Sequence, residues 1–360
     1  MRPLWMLAVL SGALGLGATL SPAQAQAPRW YKGNTHAHTI NTDGDSSPDT
    51  VARWYKEHGY QFLFLTDHEY LVDVAPLNAL FGAADRFLVL PGQEITQISD
   101  DPKRFSAHIN NLFARDLIFP VGTRKCIPTA CGTFAPADMP LGRTFEANIA
   151  AVRTQQGIAQ VNHPNFLWSV APQDLDGVPD GTLIEIWNGQ GGINNLGGDD
   201  GKGDVRPSAE GYWDHVLSRG RIMWGVGSDD SHYFQGDKGG DPRLAAGGQA
   251  WIMVRAAELT PAAIKAAIEA GDFYASTGVT LDTITAEGDA LTLAIRNPGA
   301  GTARYSTRFI GQGGKLLAEV AGEHPSYRFR GNETYVRAAV IDSNGKRAWT
   351  QPVFRDGRGK

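Results

Sequence analysis

Gln61-Phe62-Leu63-Phe64-Leu65-Thr66-Asp67-His68 is the stretch whose reading decides the fold. Its run of large apolar side chains leaves no polar face, so residues 61–66 read as a strand buried on both sides, as in a parallel sheet. The run stops at Asp67-His68-Glu69, three polar residues at its carboxyl end. Barrel folds keep their active sites at that end of their strands. One stretch thus predicts both an architecture and the place of its chemistry.

Working outward, the pattern repeats. Residues 29–34 form a short extended segment that ends at His36-Ala37-His38-Thr39. Ser47-Pro48-Asp49 opens an amphipathic helix through His58, with Val51, Trp54 and Tyr55 at helical spacing and Gly59 as its stop. A helix is expected over 74–84, a buried strand over 87–90 with Glu94 just past it, and a strand over 107–113 carrying His108. Residues 115–143 hold four prolines and read as a loop-rich insertion. A helix over 144–156 leads to a strand at 157–161 and then to Asn162-His163-Pro164. A strand at 182–187 ends at Asn188; a glycine-rich loop covers 191–203; a helix at 212–219 precedes a strand at 222–226. That strand runs into Gly227-Ser228-Asp229-Asp230-Ser231-His232. A strand at 249–254 and a helix capped by Thr260-Pro261, closing at Gly271, complete the series. Strand, loop and helix recur about seven times, which argues for a parallel α/β fold. From about residue 281 the period changes to two, and Ser343-Asn344-Gly345-Lys346 marks a tight hairpin. The division expected is a leader over 1–27, an α/β unit over 28–280 and a small antiparallel β domain over 281–360.

The chain of 360 residues is long enough for a large core, and 42% hydrophobic with 20% charged residues is ordinary for a globular protein. A net charge of −5 gives no sign of a nucleic-acid-binding surface. Arg2, the apolar stretch 4–20 and the small-residue sites Ala23-Gln24-Ala25 and Ala25-Gln26-Ala27 read as a cleaved secretory signal. No later stretch is apolar enough to span a bilayer, so the mature chain is expected in the periplasm or outside the cell. Cys126 and Cys131, the two cysteines, fit that compartment as a local disulfide.

His36, His38, Asp43, His68, Glu94, His108, His163, Asp230 and His232 nearly all fall at or just beyond predicted strand ends. A lone histidine is usually a core or surface residue; six of nine at strand ends point to metal. One tetrahedral ion takes about four ligands, so nine imply two or three divalent ions. Mixed imidazole and carboxylate donors suit Zn, Mn or Fe better than Ca or Mg. His58, His215 and His324 match no such position, and Trp213 and Trp224 read as core.

The order of these motifs resembles the PHP (polymerase and histidinol phosphatase) superfamily over roughly residues 30–280. The matching motifs are His-x-His-Thr with Asp43-Gly44, Thr66-Asp67-His68, Glu94, His108, His163-Pro164 and Asp230-Ser231-His232. The run from Gly211 to Leu217 through Gly227, with Tyr274-Ala-Ser-Thr-Gly278, resembles the exported branch grouped with carbaryl hydrolase. The resemblance implies a distorted (β/α)7 barrel with a trinuclear site. His36, His38, Glu94 and Asp230 would hold one ion. Glu94, His108 and His163 would hold a second, and Asp43, His68 and His232 a third. The family spacing Asp-x-His selects Asp230 and leaves Asp229 as a neighbouring or substrate contact.

Three divalent ions against three carboxylates leave a positive surplus that suits a small anionic substrate and an attacking metal-held hydroxide, with no protein nucleophile. Asp67 would orient an imidazole or cap the next turn. Asn162, Asn188, Asp229 and Arg124 are the candidate substrate contacts; for Arg124 and its neighbour Lys125, solvated surface charge is the competing reading. The leading expectation is an exported phosphoesterase acting on small phosphate mono- or diesters. The alternatives are a carbamate or aryl-ester hydrolase using the same centre, and a metal-binding module without catalysis. Neither nucleic acid nor a membrane is an expected partner of the mature chain, and the sequence does not speak to its oligomeric state.

Overall fold

The computed structural model describes residues 27–99, 106–127, 130–136, 138–236, 244–287, 289–299 and 303–358. The leader expected over 1–27 lies almost wholly outside them. Among the described residues no helix is long and apolar enough to cross a membrane.

The chain opens with β1 (Arg29–Asn34), α1 (Pro48–Glu57), β2 (Phe62–Leu65), α2 (Ala75–Phe81), β3 (Leu88–Ile98) and β4 (Ser106–Leu112). A hairpin of β5 (Thr123–Ile127) and β6 (Ala130–Phe134) follows, then α3 (Leu141–Thr154), β7 (Ile158–Val161) and β8 (Thr182–Asn188). The short pair β9 (Gly198–Asp199) and β10 (Val205–Arg206) precedes α4 (Ala209–Leu217), β11 (Met223–Ser228), β12 (Trp251–Ala256), α5 (Pro261–Glu269) and β13 (Phe273–Ser276). The remainder is all strand: β14 (Leu281–Glu287), β15 (Ala290–Ile295), β16 (Tyr305–Gly311), β17 (Lys315–Ala321), β18 (Ser326–Arg328), β19 (Tyr335–Asp342), β20 (Arg347–Thr350) and β21 (Val353–Phe354).

This is a mixed α/β fold with one large sheet, and two expectations need correction. The sheet is not uniformly parallel. The pairs β1–β2, β2–β3, β7–β8 and β8–β11 are parallel, whereas β3–β4, β4–β7 and β1–β12 are antiparallel. The seven residues between β3 and β4 are too few for the crossover that a parallel neighbour requires. Nor does the ladder close into a barrel. Its order runs β11-β8-β7-β4-β3-β2-β1-β12-β13-β20-β19-β16-β17, so the pairing of β13 with β20 carries the sheet into the C-terminal strands. β14, β15 and β18 form a separate three-stranded sheet.

Two local departures matter for the site. β3 does not end before Pro91-Gly92. Residues 88–91 pair with β2, and residues 92–98 turn to pair with β4, so Glu94 lies inside a strand. Gly92 permits the switch: a side chain there would meet the Leu65 carbonyl oxygen at 2.9 Å. The insertion at 115–143 is also not all loop. Its hairpin adds β6 beside β3 through Gln97 and Thr133. Cys126 and Cys131 are register partners in that hairpin, but their side chains lie outside the described part.

The core explains the opening stretch. Phe62 and Phe64 pack among Tyr31, Leu90, Ile252 and Val254 on one side of β2. Leu63 and Leu65 pack with Val51, Tyr55 and Leu77 on the other. Both faces of β2 are thus buried, and its polar continuation emerges at a single edge.

Candidate metal centre

Each predicted ligand is carried to that edge by its own element. His36 and His38 follow β1, where a bridge from Ala37 to Ser231 ties their segment to the one after β11. His68 follows β2 and is bridged to Glu94. His108 lies in β4 opposite Thr96 of β3. His163 follows β7, and Asp230 and His232 follow β11. His108 is within its strand, as expected, whereas Glu94, expected just past one, is mid-strand. They reach the edge because β3 and β4 run past it as an antiparallel pair.

All nine side chains meet, and they form four overlapping groups that could hold a metal ion: His38-Asp43-His68-His232, His36-His38-Glu94, His36-His163-Asp230 and His68-Glu94-His108. The tightest arrangement centres on four atoms. His36 Nε2 lies 3.1 Å from His38 Nε2, and 3.3 Å from both Glu94 Oε2 and Asp230 Oδ1. His38 Nε2 lies 3.3 and 3.2 Å from the same two oxygens. Ligands about 2.0–2.1 Å from a tetrahedral ion stand roughly 3.3 Å apart, so each of these five pairs is spaced as two ligands of one ion are. Glu94 Oε1 turns the other way, 2.9 Å from His108 Nδ1 and 3.5 Å from His163 Nε2. Asp43 Oδ2 lies 3.4 Å from His68 Nε2 and 3.3 Å from His232 Nε2. His38 Nδ1 is buried without a hydrogen-bond partner, 3.3 Å from Asp43 Oδ1. Facing imidazole nitrogens, buried carboxylates and an unpartnered ring nitrogen are the donor set of a cation site.

The electrostatics agree. Burial opposes a charge on His36, but Asp230, Glu94 and Glu185 outweigh it and raise its pKa to about 10. Burial likewise opposes charge on Glu94 and Asp230, yet the imidazoles around them hold both well below the usual carboxylate range. The pocket is a dehydrated anionic floor that draws positive charge.

The proposed contacts around the ligands are placed differently from expectation. Asp67 orients no imidazole. It accepts from the Thr39 backbone N–H at 2.7 Å, the Thr39 hydroxyl at 2.8 Å and the Thr42 hydroxyl at 2.9 Å, and so ties down the turn that carries Asp43. Asp229 does not line the cleft. It is fully buried and accepts from the backbone N–H groups of Gly248, Gln249 and Ala250 and from Tyr55 and Asn34. Asn162 and Asn188 are also buried, and they donate to Glu94 at 2.8 Å and to Asp230 at 3.1 Å; they hold ligands in place instead of facing the cleft. Arg124 alone of the four lines the cleft, with His68, Asp43 and His108.

One residue escaped the sequence reading. Glu185 of β8 is 1% exposed, and its carboxylate receives His36 Nδ1–H at 2.7 Å, the His163 backbone N–H at 2.7 Å and Asn188 Nδ2 at 2.8 Å. Ser228 and Gln160 donate to it as well. The available sign was a carboxylate inside the apolar run Thr182–Asn188.

The backbone is strained at the same place. Of the eight non-glycine residues with positive φ among the described residues, Glu69, His163, Leu167, Trp168 and Asp230 sit at or beside the centre.

No protein-family model and no curated protein sequence matches the chain. Among solved structures, it is similar to a two-domain Bacteroides vulgatus protein containing a predicted PHP-like metal-dependent phosphoesterase. That likeness has 15% identity and a TM-score of 0.48, over 92% of this chain and 95% of the other. A lesion-specific endonuclease from Pyrococcus furiosus aligns over 67% of this chain and 56% of its own, at 11% identity and a TM-score of 0.39. An amidohydrolase from Chromobacterium violaceum aligns over 56% and 87%, at 16% and 0.36. At these values none of them bears on the chemistry of the site.

Proposed function

We propose that the chain is an exported, PHP-type metal-dependent hydrolase that cleaves small phosphate mono- or diesters. The observation that carries the reading is the close set of His36, His38, Glu94 and Asp230, in which the two imidazole nitrogens lie 3.1 Å apart and each 3.2–3.3 Å from both carboxylate oxygens, with the second oxygen of Glu94 turned toward His108 and His163. These residues would hold two ions, and Asp43, His68 and His232 would hold a third. Zn, Mn and Fe suit these donors. When bound, the ions supply Lewis acidity toward the phosphoryl oxygens and toward water.

The chain's own residues do the rest. Burial keeps bulk water from His36, His38, Glu94 and Asp230, and Glu185, Asn162 and Asn188 hold three of these in register. Arg124 offers the cleft a guanidinium that pairs with a non-reacting phosphate oxygen. The resemblance to the carbaryl-hydrolase branch makes a carbamate the control substrate.

The test is a panel on protein loaded with Mn or Zn: p-nitrophenyl phosphate, bis-p-nitrophenyl phosphate and a naphthyl carbamate. Turnover of at least one phosphate ester is expected, with more than about 100-fold loss and lower metal content in His38→Ala. Carbamate cleavage without phosphate cleavage would overturn the phosphoesterase reading, and full activity in His38→Ala would overturn the site.

A further inference from the structure

The metal centre opens into a cleft of about 550 Å³ whose walls include Tyr70, Ile98 and Phe166 beside His68, His108 and Arg124. Nine large apolar side chains are exposed among the described residues. Single ones need no explanation, but Tyr70 lines this cleft, Ile40 and Leu167 are chain neighbours of residues that line it, and Phe119 packs under one that does. Tyr70, 45% exposed, lines the cleft itself. Ile40, 56% exposed, adjoins the lining residue Asn41, and Leu167, 55% exposed, adjoins the lining Phe166. Phe119, also 55% exposed, lies under the Arg124 guanidinium at 5.6 Å from its ring centre.

Leu167 adds an independent observation. Its φ of 50° and ψ of 21° are left-handed, and Trp168 follows at φ 55°. A branched side chain there costs about 1–2 kcal/mol that glycine or asparagine would avoid. The protein thus holds a leucine in a strained backbone and leaves it in water, directly after a phenylalanine packed 5.2 Å from the His163 ring.

From this we infer the substrate class: a phosphoester whose alcohol carries an extended apolar chain, with the phosphate on the metal floor and the chain laid against the Tyr70–Leu167 rim. The inference rests on the phosphoesterase reading and deepens it. The occupant is the substrate's own chain because Tyr70, Ile98 and Phe166 line the same cleft as the proposed ligands Asp43, His68 and His108. Arg124 at the junction meets the charged head, and the apolar wall begins beyond it.

Straight-chain alkylphosphonates are the probes, since they cannot be hydrolysed and their head group does not change with length. Methyl-, butyl- and octylphosphonate are titrated by calorimetry into the full mature chain loaded with Zn or Mn, each below its micelle concentration. Affinity should rise about twofold per methylene, roughly 100-fold from methyl to octyl, for a chain half-buried on the rim. Leu167→Asn, which suits the left-handed backbone and so keeps the fold, should shrink the octyl-to-methyl ratio several-fold. Equal affinities across the series overturn the inference and leave the phosphoesterase reading standing. A steep series unchanged in Leu167→Asn overturns the assignment of the rim. Failure of every phosphonate to bind overturns both readings.

Discussion

A carboxylate that binds no metal can still decide whether metal binds. Glu185 spends all its acceptor capacity on protein donors, so it is not a tenth ligand. By accepting the His36 Nδ1–H it leaves Nε2 as the ring atom that faces Glu94 and Asp230. Its bonds to the His163 N–H and to Asn188 register two more segments of the site. Glu185→Gln should therefore weaken Zn or Mn binding by about 10–100-fold, read by calorimetry, while the metal-free protein keeps its melting temperature within a few degrees. Unchanged affinity would show that His36 needs no such partner. Asp67 and Asp229 share this logic: both are buried carboxylates beside ligand motifs, and each holds a loop.

At the scale of elements, short segments are fixed by side chains that replace missing backbone partners. Thr260 caps α5 by accepting from the Ala263 N–H at 3.2 Å, as its place before Pro261 predicts. Glu333 does more in the turn between β18 and β19. It accepts from the N–H groups of Arg330, Gly331 and Asn332 and from the Tyr327 hydroxyl. Burial opposes its charge, but the Tyr327 hydroxyl and these N–H groups hold its pKa at about 2, below the ordinary 4.5. A depressed carboxylate stabilises the fold above pH 4.5 and loses that contribution as pH falls toward 2. Glu333→Gln should melt earlier than the parent at pH 7, and the gap should narrow by about half as thermal scans are repeated down to pH 3. A gap independent of pH would mean that shape, not charge, matters at this turn.

For the whole molecule, the join between α4 and the C-terminal strands is decisive. Arg337 of β19 is fully buried, and its guanidinium bonds Asp214 of α4 twice, at 2.8 and 2.6 Å, and Glu210 at 2.7 Å, while lying 4.9 Å from the Trp213 ring centre. Tyr335 donates to the same Asp214. Removing one partner of such a pair strands a buried charge, so Arg337→Ala should cost about 3–5 kcal/mol in denaturant unfolding. Arg337→Met combined with Asp214→Leu and Glu210→Met should recover most of it, since apolar replacement of all three charges removes the desolvation cost. If the single variant is neutral, the contact between α4 and β19 does not hold the C-terminal strands in place.

Local pattern by itself determined most of the strands and helices of the α/β part, though not the β5–β6 hairpin, and the ligand candidates. The apolar run at 61–66, the helical spacing at Val51 and Tyr55, and the histidines after strands are all legible because hydrophobic period and polar interruption act within a few residues. Tertiary structure alone decided the direction of β4, the continuation of β3 through Glu94, the open ladder and the roles of Glu185, Asp67 and Asp229. Each depends on a partner distant in the chain, such as Glu185 on His36 or Asp229 on residues 248–250. A carboxylate's place in sequence says that it is buried, but its function is set by which donors the folded chain brings within 3 Å. The His-rich motifs were readable because their chemistry is in the residue type; the groups that aim them were not, because theirs is in the geometry.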